Sequence, residues 1–134
     1  MNRVKATISG LETSGSITLV TLDASADITL QLLLIDTPET VSYLKIANTV
    51  TAFFKETEVI LATTPINGIS IPNQIPAIIS HFENDQFLTR VHLNTALGKL
   101  SALVHDKSLK AMLLNPGDII VALIKMNEIM LAHD

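Results

Sequence analysis

Polar and apolar residues alternate with a period of two over residues 4–11 and 16–22, and again over 75–82 and 87–93. That spacing belongs to strands with one buried face, since successive side chains on a strand point to opposite sides. A hairpin turn separates the members of each pair. Apolar-rich runs at residues 28–35 and 99–105, then 49–55 and 119–125, and finally 58–62 and 128–132 supply further strands in both halves. Between the third and fourth strands each half leaves room for a short helix. Thr37 is placed to cap residues through 44, with Pro38 at the first helical position and Glu39 near the positive end of the helix dipole. Asp106 is placed in the same way before residues 107–113, and Asn115-Pro116-Gly117-Asp118 ends that segment.

The two halves match each other residue by residue. At an offset of 71, Asn2, Ala6, Ile8, Ser9 and Glu12 meet Asn73, Ala77, Ile79, Ser80 and Glu83, and Thr18, Val20 and Leu22 meet Thr89, Val91 and Leu93. After a turn the offset becomes 70, which a single deletion in a surface loop explains. Leu30, Leu33, Asp36, Ala52, Lys55, Glu58, Leu61 and Ala62 then meet Leu100, Leu103, Asp106, Ala122, Lys125, Glu128, Leu131 and Ala132. Agreement of polar residues in register points to an internal duplication, with copies at 2–62 and 73–132. The expected organisation is a first repeat at 1–63, a linker at 64–72 containing Pro65, Asn67, Gly68 and Pro72, and a second repeat at 73–134. Short strands plus one short helix per copy predict a mainly β fold of two tandem, small OB-like barrels, which remove exposed sheet edges.

Composition narrows the function classes. Apolar residues make up 48% of the 134-residue chain but aromatics only 4%, so the core must be built from Leu, Ile, Val and Ala. No run approaches the roughly 18 apolar residues of a membrane span, and the start lacks the apolar stretch of a secretion signal, so a cytoplasmic protein without membrane contact is expected. The absence of cysteine excludes disulfides, thiolate metal sites and cysteine nucleophiles. A net charge of -4 with scattered Lys and Arg offers no footprint for nucleic acid, so any anion site must be local.

The second copy reads Asn73-Gln-Ile-Pro-Ala, then Gly98-Lys-Leu-Ser-Ala-Leu-Val-His-Asp-Lys-Ser108, then Pro116-Gly-Asp-Ile-Ile-Val-Ala-Leu-Ile-Lys125, then Glu128-Ile-Met-Leu-Ala132. This resembles the Mop/TOBE family of molybdate-binding modules. The first copy carries the same two ends, Asn2-Arg-Val-Lys-Ala and Val50-Thr-Ala-Phe-Phe-Lys55-Glu-Thr-Glu-Val-Ile-Leu-Ala62, in the paired di-Mop arrangement. The resemblance implies modules that form homo-oligomers, dimers or trimers, and bind molybdate or tungstate between modules. It also implies an anion held by a segment before the first strand, by residues at the helix start and by the Lys that ends the fourth strand. Those places are taken here by Ser70 and Asn73, by His105 and Ser108, and by Lys125, with Lys55 as the first-copy counterpart. Pro72 stands where the family has arginine, and Arg3 or Arg90 would replace that fork of donors.

A tetrahedral dianion offers only acceptors, so its site needs ammonium, hydroxyl and N–H donors and no unpaired carboxylate. Lys125, Ser108 and Ser70 meet that requirement, whereas Glu56 beside Lys55 would repel the anion if it pointed inward. No phosphate loop, nucleophile elbow or paired-carboxylate motif is present, so no enzyme activity or cofactor is expected. His92 and His133 have no partner at metal-ligand spacing, so no protein metal ligands are expected either. The resulting expectation is an oxyanion-binding protein for transport, storage or homeostasis. Its rival is an oligomeric interaction or regulatory module of the same fold without the anion, which Pro72, Pro38 and Glu56 would permit.

Overall fold

A computed structural model describes residues 1–133. Ten strands form two five-stranded sheets. In chain order they are β1 (Asn2–Ser14), β2 (Ile17–Asp23), β3 (Thr29–Leu34), β4 (Thr49–Phe54), β5 (Ile60–Ala62), β6 (Asn73–Asp85), β7 (Leu88–Thr95), β8 (Gly98–His105), β9 (Ile119–Ile124) and β10 (Met130–Ala132). One α-helix, α1 (Asp106–Ala111), lies between β8 and β9, and 3-10 turns at Glu56–Glu58 and Met126–Glu128 follow β4 and β9.

The alternation read along the chain is the burial pattern of these strands. Asn2, Val4, Ala6 and Ile8 on β1 face inward, as do Asn73, Ile75, Ala77 and Ile79 on β6. β1 and β6 each bend at a bulge, between Ile8 and Gly10 and between Ile79 and His81, and both run on into polar residues as far as Ser14 and Asp85. An extra residue at a bulge twists the strand and helps a small sheet curl over its own core.

The sheet orders are β10-β4-β1-β2-β3 and β5-β9-β6-β7-β8. The last strand of each half of the chain therefore joins the sheet of the other half: β10 pairs with β4 through Leu131↔Ala52, and β5 pairs with β9 through Leu61↔Ala122. One continuous apolar cluster runs from Val4 and Phe54 in the first copy to Ile124 and Ile129 in the second. At roughly 25 cal/mol per Å² of buried apolar area, a shared core of this kind stabilises both sheets together.

The two segments between third and fourth strands differ. α1 forms in the second copy, but residues 37–44 of the first make only turns. Thr40 Oγ1 donates to the Thr37 carbonyl at 3.1 Å and accepts from the Thr37 N–H at 3.0 Å, so side-chain bonds hold the single turn that a helix would have to extend. The expectation of a helix in each copy is corrected accordingly. Nor does Asp106 act as the cap of α1: His105 occupies that place, and the Asp106 carboxylate accepts from buried Thr89 at 2.7 Å and pairs with Lys110 at 3.0 Å.

Candidate functional site

Asn2 and Asn73 open equivalent strands and do equivalent work across the junction between copies. The Asn73 amide donates to the carbonyls of Gln31 at 2.8 Å and Ile124 at 2.9 Å, and its oxygen accepts from the Gln31 N–H at 2.7 Å. Asn2 holds the backbone N–H and carbonyl of Ser101, each at 2.8 Å. An amide matches the donor and acceptor of one peptide group, so each copy reads the exposed edge of the other copy's third strand. Both amide hydrogens of Asn73 are thereby committed to carbonyls. The Asn73 side chain is buried and acts as a clamp between the two halves.

Directly before that clamp, Ser70, Ile71 and Pro72 form one wall of a cleft of about 280 Å³, and Lys125, Met126 and Asn127 form another. Leu33 on β3 supplies a wall from the first copy. The register explains the meeting, because Asn73 pairs with Ile124 and so sets the residues before β6 beside those after β9. Lys125 is exposed and stands in extended conformation at the start of its 3-10 turn. Lysine and hydroxyl donors thus share a cleft whose lining contains no carboxylate.

Ser108 and His105 are also brought together, with Nδ1 and Oγ 2.8 Å apart. They are not part of the Lys125 cleft. Asn73, at one end of β6, neighbours Ile124, whereas Asp85, at the other end, pairs with Leu88, which pairs with His105. Within one molecule the length of β6 lies between them. Arg3 is exposed on β1 opposite Phe53.

Around Lys55 the same backbone carries different chemistry. Lys55 precedes the Glu56–Glu58 turn just as Lys125 precedes its own, but Glu56 turns onto the second copy. Its Oε1 accepts from Arg90 Nε at 3.1 Å and from Ser101 Oγ. Burial works to raise the Glu56 carboxyl, but the hydrogen bonds from Ser101 and Arg90 and the nearby positive charges outweigh it and hold the group below its ordinary value. Arg90, a candidate replacement for the family's arginine, is therefore engaged by a carboxylate of its own chain. Residues 56 and 90 or 101 are too far apart in sequence for any local pattern to have announced this arrangement.

A third cluster was missed altogether in the sequence. His81, Glu83 and His92 on β6 and β7 place their ligand atoms within 4.8 Å of one another. The bulge at Ile79/His81 sets His81 opposite His92, a pairing that residue spacing alone does not reveal.

Residues 69–131 match the TOBE domain family. The TOBE match spans both the Ser70 wall and the Lys125 turn. A structure of the cytoplasmic molybdate-binding protein ModG with molybdate bound has the same fold, with a TM-score of 0.89 at 21% identity over 99% of this chain and 96% of that one. The TOBE match covers just under half of the chain, and the likeness to ModG shows a shared fold. No curated protein sequence matches the chain. Among the described residues, no helix is long and apolar enough to cross a membrane.

Proposed function

We propose that this chain is a cytoplasmic oxyanion-binding protein that holds molybdate or tungstate in the Lys125 cleft, for transport, storage or homeostasis, and performs no chemistry on it. The observation that carries this reading is the convergence of Lys125 and Ser70 in a carboxylate-free cleft formed by both copies. An ammonium and a hydroxyl suit an acceptor-only dianion, and charge-assisted hydrogen bonds are roughly twice as strong as neutral ones. The TOBE match over these residues and the likeness to ModG favour the same ligand class. We further infer a homo-oligomer, dimer or trimer, of paired Mop-like repeats, in which His105 and Ser108 of one molecule approach the cleft of another. The register along β6 keeps them from Lys125 within a single chain, so a site shared by all of them needs a second molecule.

Isothermal calorimetry with molybdate, tungstate, sulfate and phosphate tests the ligand. The expected result is saturable binding of molybdate and tungstate, weakened at least about tenfold in Lys125→Ala, since a charged hydrogen bond is worth about 1.5–3 kcal/mol. Unchanged affinity in that variant rejects the cleft. A strictly monomeric protein by light scattering rejects the assembly.

A second reading, an interaction or regulatory module without the anion, is favoured at the Lys55 turn by a specific observation. There the Glu56 carboxylate takes the donors of Arg90 and Ser101. Absence of heat with all four anions would select this reading for the whole chain.

A further inference from the structure

We propose that His81, Glu83 and His92 form a site for a borderline divalent cation of the Zn²⁺, Cu²⁺ or Ni²⁺ class, on a face of the β6–β7 ribbon and independent of the oxyanion reading. Glu83 lies two residues beyond His81, so both side chains leave the same face of β6. Past the bulge His92 is the cross-strand partner of His81. The imidazoles stack with centroids 4.1 Å apart and planes 7° apart, and His92 Nε2 is hydrogen-bonded to Glu83 Oε1. Ser80 Oγ lies 3.0 Å from His81 Nδ1, within reach to orient that ring.

Two imidazoles and a carboxylate are the donor set that suits these metals, whereas Mg²⁺ and Ca²⁺ select all-oxygen sites. With metal–ligand bonds near 2.0–2.2 Å, tetrahedral ligands stand roughly 3.3 Å apart, so ligand atoms already within 4.8 Å need only side-chain rotation to close. A metal lies in the plane of each imidazole that binds it, so binding must rotate the rings out of their parallel stack. His81 and Glu83 are exposed and His92 is half-buried, which leaves the rings room for that movement and a coordination position for water.

The first copy supplies an internal control. At the same bulge Gly10 pairs with Thr21, the counterparts of His81 and His92, while Glu12 matches Glu83. The histidines thus belong to the second copy alone, at a place where the fold itself requires neither. A cation there would tie β6 to β7 at the bulge.

Zinc titration of the whole protein by calorimetry, with histidine ring NMR, tests the site. One equivalent of Zn²⁺ should bind the parent, shift the ring signals of His81 and His92, and be left undisturbed by excess Mg²⁺. Because even groups that merely orient a metal ligand change affinity 10–100-fold, His92→Thr and His81→Gln should each lose at least about tenfold. Their thermal transitions without metal should stay near that of the parent, and Gln31→Ala, whose side chain bonds Thr21 on β2 and none of the three ligands, should bind zinc as the parent does. Zinc affinity unchanged in His92→Thr, no zinc binding by the parent, or ring signals other than His81 and His92 responding would each overturn the proposal.

Discussion

The turn that follows β4 and the turn that follows β9 share a backbone and differ in chemistry. Lys55 and Lys125 both enter a 3-10 turn from extended conformation, with φ and ψ of -72° and 147° in one and -66° and 147° in the other. The next residue is Glu56 in the first and Met126 in the second. A carboxylate next to Lys55 draws Arg90 and Ser101 onto itself, so that corner of the molecule is satisfied from within. A thioether next to Lys125 competes for nothing, and Lys125 shares its cleft with Ser70. Equal backbones therefore carry different chemistry: at the Lys55 turn a carboxylate engages donors of the protein itself, whereas the lining of the Lys125 cleft contains no carboxylate.

The largest effects should separate the two clamps that hold these corners in place. Asn73→Ala strands the Gln31 N–H and two carbonyls in a buried place, a loss on the order of 3 kcal/mol at 1–3 kcal/mol for each unsatisfied group after relaxation. Asn2→Ala strands only the peptide groups of Ser101, and urea unfolding should show a smaller loss of about 2 kcal/mol. Equal losses would show that the third bond, to Ile124, contributes nothing.

Anion binding is the next discriminator. On the proposed site, Lys125→Ala should weaken molybdate at least about tenfold while Lys55→Ala changes it less than about twofold, because only the former would lose a charged hydrogen bond to the ligand. Glu56→Ala should then release Arg90 and Ser101 and raise the number of anions bound per chain in calorimetry. Without that rise, Glu56 is a structural ion pair and not the reason the Lys55 corner is closed.

A smaller effect concerns acid. The Glu56 carboxyl is held below its ordinary value of 4.5 in the fold, so its contribution to stability is complete above that value and disappears as pH falls through the lowered one. Glu56→Gln should therefore be less stable than the parent at neutral pH, with the gap in thermal midpoint closing in strong acid. A gap that is constant with pH would assign the effect to packing.

The smallest contrast lies in the turns before β4 and β9. Ala47 adopts φ 75° where its counterpart Gly117 has φ 92°, and both donate to the first bulge residue, Ile8 or Ile79, at 2.8 Å. A side chain in the left-handed region costs about 1–2 kcal/mol, less the entropy that glycine loses on folding, so Ala47→Gly should stabilise by about 0.5 kcal/mol. Gly117→Ala should destabilise by a similar or larger amount, from backbone strain alone, since nothing lies within 4 Å of the added Cβ. Thermal melts of the pair, and of both changes together, give the comparison.

Much of this architecture was legible before any coordinates. Period-two alternation marked the strands, although β1 and β6 run further into polar residues than that pattern shows, because backbone pairing continues where one buried face no longer does. The family resemblance singled out Lys125 and Ser70, and both line one cleft. The clamp made by Asn73 was not legible, because an asparagine before a strand has the same sequence appearance whether its amide meets a ligand or a neighbouring peptide. The helix expected at residues 37–44 failed on hydroxyl-to-backbone bonds of Thr40, which a capping pattern does not weigh.

What the sequence determined by itself is local: strand positions, turns, the matched halves and the apolar face of each strand, all written in side-chain types a few residues apart. Only the tertiary structure decided that β5 and β10 cross to the opposite sheets, that Glu56 lies against Arg90, and that His81 meets His92. The reason is physical. Strand edges are joined by backbone N–H and carbonyl groups that every residue but proline carries alike, so the choice of partner edge leaves no mark on side-chain sequence and is settled by packing of the whole chain.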